Sequence, residues 1–204
     1  MRVRITFSKT GALRYIGHLD LQTIWERSAR RADLPLAYSQ GFHPQPKINI
    51  ASALPLGFSS RGEVVDLRLN KDVDLEALPG RLQTAMPSGI GVLKVESVDE
   101  NLPPLQTQIL SAEYEVTLTE AVDRSGLRRK IDETLASESL LRERRGKTYD
   151  LRPLIEQLDA IAEDKISMRL SAREGATGRP DEVLGALGIP LEHARIERTR
   201  LLFQ

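Results

Sequence analysis

Three side chains in this sequence have the chemistry to act on a bound molecule: His18, Asp20 and His43. His18-x-Asp20 offers two metal ligands and His43 a third, because imidazole and carboxylate suit first-row metals. Alternatively, His43 passes a proton, since an unperturbed imidazole titrates close to neutral pH. Each also has a plainer reading. Asp20 stands where a helix would begin and can cap it, His18 can pack beside it, and His43 has no nucleophile or carboxylate in its own segment. Ser8-Lys-Thr-Gly11 lacks the spaced glycines of a Walker loop, which speaks against nucleotide hydrolysis. No catalytic residue is assigned, and the chain reads as a noncatalytic accessory protein more readily than as an enzyme.

A larger group of residues could recognise rather than react. The stretch Tyr38-Ser-Gln-Gly-Phe-His-Pro-Gln-Pro-Lys47 combines rings, an imidazole and a cation with Gly41, Pro44 and Pro46, which favour a loop or an edge strand over a helix. Lys9, Arg14, Tyr15, Tyr38, Phe42, His43 and Lys47 come from segments adjoining one half of the chain, and Arg27, Arg30 and Arg31 from a helix face beside them. Cations that hold phosphates beside rings that stack on bases are what single-stranded RNA recognition requires. The plainer reading is a solvated helix face with Glu26 and Arg30 paired at i, i+4, and Phe42 equally fits a core. Further along, Arg142, Arg144, Arg145 and Lys147 surround a hairpin tip, where charge also serves to prevent edge pairing. Arg179 precedes Pro180 at a helix start and could contact an anion there.

Composition narrows the setting. The 204 residues are 40% hydrophobic and 28% charged, which fits a folded globular protein of one or two domains. The absence of cysteine removes thiolate nucleophiles and all-cysteine metal or iron–sulfur sites from this chain. Formal net charge is +0 but unevenly spread. Residues 1–50 hold eight Lys/Arg against three Asp/Glu, residues 51–110 five against eight, and residues 111–204 sixteen against eighteen. A basic first quarter admits an anionic partner. No apolar run approaches the roughly 20 residues that span a bilayer, and Met1–Phe7 lacks a signal-peptide core, so a cytoplasmic protein without a membrane partner is expected.

Periodicity supplies the scaffold. Val3, Ile5 and Phe7 alternate with Arg2, Arg4 and Thr6 as in a half-buried strand, and Leu21, Ile24, Trp25, Ser28, Ala29 and Ala32 make one stripe of a helix over about 21–32. Strands follow at Ile48–Ile50 and around Val65–Leu69, then a helix using Leu78, Leu82 and Ala85 whose start Pro79 delays, then a strand near 92–98. Leu102-Pro-Pro-Leu105 reads as a linker. A second series gives a strand (Tyr114, Val116, Leu118), a helix (Leu127, Ile131, Leu135) and a strand or hairpin over 141–151. It continues with a short inserted helix from Pro153 carrying Leu154, Ile155, Leu158 and Ile161, and a strand (Ile166, Met168, Leu170). A helix closed by Gly188 and a last strand over 195–203 complete it. The reading is α+β: two tandem ferredoxin-like βαββαβ units, at 1–100 and 112–204 with a 101–111 linker, each an antiparallel sheet with helices on one face. One continuous mixed sheet is the rival.

The residues Phe7-Ser-Lys-Thr-Gly-Ala-Leu-Arg14, Gly17-His-Leu-Asp20, Tyr38–Lys47, Leu54-Pro-Leu-Gly57 and Gly178-Arg-Pro180 resemble the radical SAM-linked bacterial protein family of unknown function. That resemblance implies a radical SAM enzyme as partner, with the iron–sulfur cluster and S-adenosylmethionine on the partner and no cofactor in this chain. It implies no catalytic residue. The tandem arrangement is also similar, at fold level only, to CRISPR repeat-processing RNases. Three functions follow as expectations: a noncatalytic RNA-binding module presenting tRNA or rRNA to a radical SAM enzyme, a protein-docking domain for that enzyme, and a His18/His43-dependent RNA-processing enzyme.

Overall fold

The fold is taken from a computed structural model, which describes residues 1–120, 123–144 and 146–204 and, at Arg124, the backbone only. The chain divides into two units, Met1–Gln108 and Ile109–Gln204.

In the first unit the order is β1 (Arg2–Lys9), α1 (His18–Arg31), β2 (Ile48–Ile50), β3 (Ser59–Arg68), α2 (Leu78–Ala85) and β4 (Ile90–Val98). β1 lies antiparallel between β3 and β4, and β2 pairs antiparallel with β3, so the strands run β4-β1-β3-β2. Alternation along β1 sends Val3, Ile5 and Phe7 to one face, where they are wholly buried against Leu21, Trp25 and Ala29 of α1 and Leu78 and Leu82 of α2. Phe7 meets Trp25 edge to face, with ring centroids 4.9 Å apart. Ser28 is small enough for its hydroxyl to reach the Ala85 carbonyl at 3.2 Å, which ties α1 to the end of α2. Pro79 sits in the first turn of α2, where its missing N–H costs no helical bond.

α1 starts a turn earlier than the apolar stripe suggests. Gly17 is its N-cap, and Asp20 is the third helical residue, its carboxylate accepting the Gly17 N–H at 3.4 Å. Asp20 therefore caps α1 from inside the helix instead of standing before it, making one half of a capping box, since Gly17 has no side chain to return the bond.

The second unit runs β5 (Ile109–Leu118), α3 (Arg124–Ala136), β6 (Leu141–Arg144), β7 (Lys147–Asp150), β8 (Ile155–Ala160), β9 (Lys165–Arg173), β10 (Ala176–Thr177), α4 (Pro180–Ala186) and β11 (Ala194–Phe203). Its strands run β11-β5-β9-β8, all antiparallel, with β10 pairing the end of β9 and β6–β7 forming a separate hairpin. The hairpin resolves the choice left open over 141–151. β5 begins at Ile109, inside the segment expected to be linker, and the 3₁₀ turn Leu105–Gln108 precedes it. Gly188 follows α4 at φ +69°, a left-handed position that suits glycine.

The inserted helix expected from Pro153 is a strand. Ile155 and Leu158 are buried while Glu156 and Gln157 are exposed, an i, i+3 spacing that imitates a helix. Its cause is a register shift between Ile155 and Gln157: one extra residue in β8 turns the strand period of two into three locally. On the polar face of this unit Glu113 accepts Arg169 at 2.6 Å and Arg200 at 3.0 Å from the two neighbouring strands. Burial raises the Glu113 pKa, but those two guanidiniums outweigh it and hold the carboxyl below its ordinary range.

Among the described residues no helix is long and apolar enough to cross a membrane. Replacing Trp25 by Ala empties the centre of the first unit, and the expected cost is about 3–5 kcal/mol, read from chemical denaturation as a lower midpoint at an unchanged slope.

Candidate nucleic-acid interface

The segment between β1 and α1 is held from below. The Thr10 N–H donates to the Gly89 carbonyl at 2.8 Å, and a Cβ at Gly89 would lie 2.8 Å from the Thr10 carbonyl oxygen, so only glycine permits the approach. Leu13 packs on the core, while the 3₁₀ turn Gly11–Tyr15 turns its other side outward. There the Arg14 guanidinium lies 4.7 Å from the centroid of the Tyr15 ring and donates to its hydroxyl at 2.7 Å, and Tyr15 is 62% exposed. The Gly57 N–H donates to the Arg14 carbonyl at 2.8 Å, which anchors the loop bearing Leu56, also exposed.

The Tyr38–Lys47 stretch is a pinched loop. Tyr38 and Pro46 form an isolated bridge, the Ser39 N–H donates to the Gln45 carbonyl at 2.8 Å, and the Gln45 N–H donates to the Ser39 hydroxyl at 2.9 Å. Residues 40–45 stand clear at its tip, with Gly41 at φ +128°. Phe42, which equally fitted a core, is fully exposed there beside exposed His43. At the base the Tyr38 hydroxyl accepts Arg30 at 3.3 Å, and Arg30 also pairs with Glu26 at 2.7 Å. Arg27 is exposed, and Arg31 reaches the Ala85 carbonyl at 3.4 Å.

The remaining candidates of this unit lie elsewhere. Lys9 is 1% exposed and donates to the Ile16 carbonyl at 3.1 Å, so it belongs to the interior and offers no surface charge. Lys47 lies at the start of β2 on the sheet face turned away from the helices, beside Arg2, Asp66 and Arg68. His18 and Asp20 are exposed on the first turn of α1, and among the described residues no three His, Asp or Glu gather as a metal site.

That far face carries a buried charged cluster. Asp66 is 3% exposed and accepts Arg2 at 2.9 Å and Arg4 at 2.9 Å. Arg2, equally buried, also donates to the carbonyls of Leu102 at 2.7 Å and Pro103 at 3.1 Å. A signal was present: outward positions of β1 and β3 carry opposite charges, which alternation alone assigns to solvent.

In the second unit Arg144, Lys147, Tyr149 and Thr177 line a cavity of about 370 Å³. Arg145 lies outside the described residues. The Tyr149 hydroxyl is buried without a hydrogen-bond partner among the described residues, and that burial, with Glu182 nearby, raises its pKa against the opposing charges of Arg144 and Arg179. Arg179 is held by Asp181 through two bonds of 3.1 and 2.8 Å. His193, without a role in the sequence, lies 3.3 Å from Glu120 at the edge of another cavity of about 350 Å³.

A family model described as "Uncharacterized protein conserved in bacteria (DUF2344)" matches residues 2–180. No curated protein matches the chain. Among solved structures, a chain of the "Crystal Structure of a Cbf5-Nop10-Gar1 Complex" is similar at TM-score 0.50 and 10% identity, over 98% of this chain and 48% of that one. The present chain thus spans about half of that structure's chain, and the likeness is one of fold.

Removing the Asp66 carboxylate in Asp66→Ala leaves two guanidiniums facing each other, and the expected loss is about 3–5 kcal/mol in denaturant unfolding. Acid should act on the second unit through Asp150, whose carboxyl is held below its ordinary range by the amides of Leu140 and Arg152. A lowered folded pKa stabilises fully above the unfolded value of about 3.9 and loses its effect as pH falls through the folded one. Asp150→Asn should therefore lower the melting temperature at neutral pH and flatten its fall below about pH 4.

Proposed function

The chain belongs to the DUF2344 family of proteins conserved in bacteria, and we propose that it is a noncatalytic RNA-binding module that works with a radical SAM enzyme on tRNA or rRNA. The observation that carries this reading is a set on the first unit: exposed Tyr15 with half-buried Arg14 against its ring, and exposed Phe42 and His43 on the loop tip and Arg27 and Arg30 on α1. Exposed rings offer bases a stacking platform whatever their identity, and neighbouring guanidiniums attract the backbone. The radical SAM partner rests on the sequence resemblance, and the lack of cysteine agrees with a cluster and S-adenosylmethionine bound by that partner. We assign each unit to the ferredoxin-like plan on its strand order, and the protein to the cytoplasm. The cavity bearing Arg144 and Lys147 is a second anionic contact in this scheme.

A docking role for the same surface has its own support. Tyr15, Leu19, Phe42 and Leu56 are large hydrophobic residues left exposed between positions 15 and 56, as surfaces that bind protein often are. In that reading the loop contacts the radical SAM enzyme directly.

Binding of total cellular RNA at two salt concentrations tests the first reading. Combined Arg14, Arg27, Arg30 and Phe42 to Ala substitution should abolish most binding, and each lost phosphate contact should reduce the salt slope by about 1. Unchanged binding in the variant, or none in the parent, overturns it. Association with the partner enzyme that survives nuclease and is lost on Phe42→Ala would favour docking instead.

A further inference from the structure

We infer that the far face of the first unit's sheet carries a binding pocket for a single phosphate group, built on Arg2 and rimmed by Lys47, Asn49 and Arg68. Alternation places all four away from the helices, since Val3, Ile48, Ile50 and Leu67 take the core side of the same strands. They surround, with Asp66, a cavity of about 110 Å³ whose wall is completed by Leu102 and Pro104. That volume suits one compact anionic group and falls short of the roughly 300 Å³ that a drug-sized ligand needs.

Charge argues for an anion. Three cations line the pocket against one carboxylate, and Asp66 is already shared between Arg2 and Arg4. The other nearby acid, Glu100, stands 4.0 Å from the Arg68 guanidinium and does not line the cavity. Arg2 is pinned on three sides, by Asp66, Leu102 and Pro103, so its guanidinium is fixed before any ligand arrives. Lys47 and Asn49 are exposed, while Arg68 is half-buried and donates to the Glu100 carbonyl at 3.2 Å; the Lys47 ammonium makes no hydrogen bond or ion pair among the described residues. Arg2 acts as a fixed buried positive charge behind the rim, and the Lys47 ammonium, the Asn49 amide and the Arg68 guanidinium supply the donors that a phosphate's oxygens accept.

The pocket stands on its own geometry; if the RNA reading holds, its occupant is a backbone phosphate. Titration of the full chain with inorganic phosphate, followed by amide NMR, is the test. Saturable shifts are expected at Asn49, Asp66 and Arg68, with affinity reduced roughly tenfold or more in Lys47→Glu and in Arg68→Ala, as loss of a charge-assisted bond requires. Arg129→Ala, an exposed cation of α3 in the second unit, should leave phosphate affinity unchanged. No saturable shift in the parent, or affinity as high as the parent's in both pocket variants, overturns the proposal. The RNA arm identifies the source: parallel loss of RNA affinity in Lys47→Glu assigns the phosphate to a nucleic-acid backbone, and unchanged RNA affinity assigns it to a small phosphorylated molecule. Phosphate binding without any RNA binding in the parent would uphold the pocket and remove the RNA reading.

Discussion

The grip of Arg2 and Arg4 on Asp66 conditions much of the first unit. A carboxylate this deeply buried would be costly alone, and two guanidiniums so close would repel; together they hold β1 and β3 in one register. Register matters because a slip of one residue would turn Val3, Ile5 and Phe7 from the core to the polar face. Arg2 extends the hold to the carbonyls of Leu102 and Pro103, so the segment leaving β4 is tied down on the far side of the sheet. Two faces of one strand thus do different work: one packs α1 and α2, the other organises charge.

The surface proposed for RNA depends on the packed face. Trp25 and Leu21 fix α1, which sets where Arg27 and Arg30 project, and the bond from Arg30 to Tyr38 ties the pinched loop to the helix. Gly89 lets Thr10 approach, which seats the 3₁₀ turn and presents Tyr15 with its attached guanidinium. The second unit repeats the strand order around different chemistry. Glu113 bridges the two strands beside β5, and Asp150 and Asp123 accept backbone amides at loop and helix starts, with depressed carboxyl pKa values in each case.

Much of the fold was legible because half-buried strands and helices have different periods. β1, β2, α1 and β9 show their patterns within a few residues, and Pro79 marks the delayed start of α2. β8 defeated the same reasoning, since a bulge spaces Ile155 and Leu158 like a helix. The candidate site was legible in part. Arg14, Tyr15, Arg30 and Tyr38 meet neighbours close in sequence, whereas the burial of Lys9 and the placing of Lys47 beside Arg2 depend on segments tens of residues away.

By itself the sequence determined local matters: which residues alternate, where proline and glycine interrupt, that no thiol chemistry is available, and which loop concentrates rings and cations. Tertiary structure alone decided which charges are surface and which are interior. Arg2, Arg4 and Asp66 have the outward positions of solvent-facing residues, and only pairing of their strands beneath the Leu102–Gln108 segment makes them a buried cluster with a cavity beside it. The physical reason is range. Periodicity follows from backbone geometry within a few residues, while the environment of a charge depends on every chain segment that folds over it.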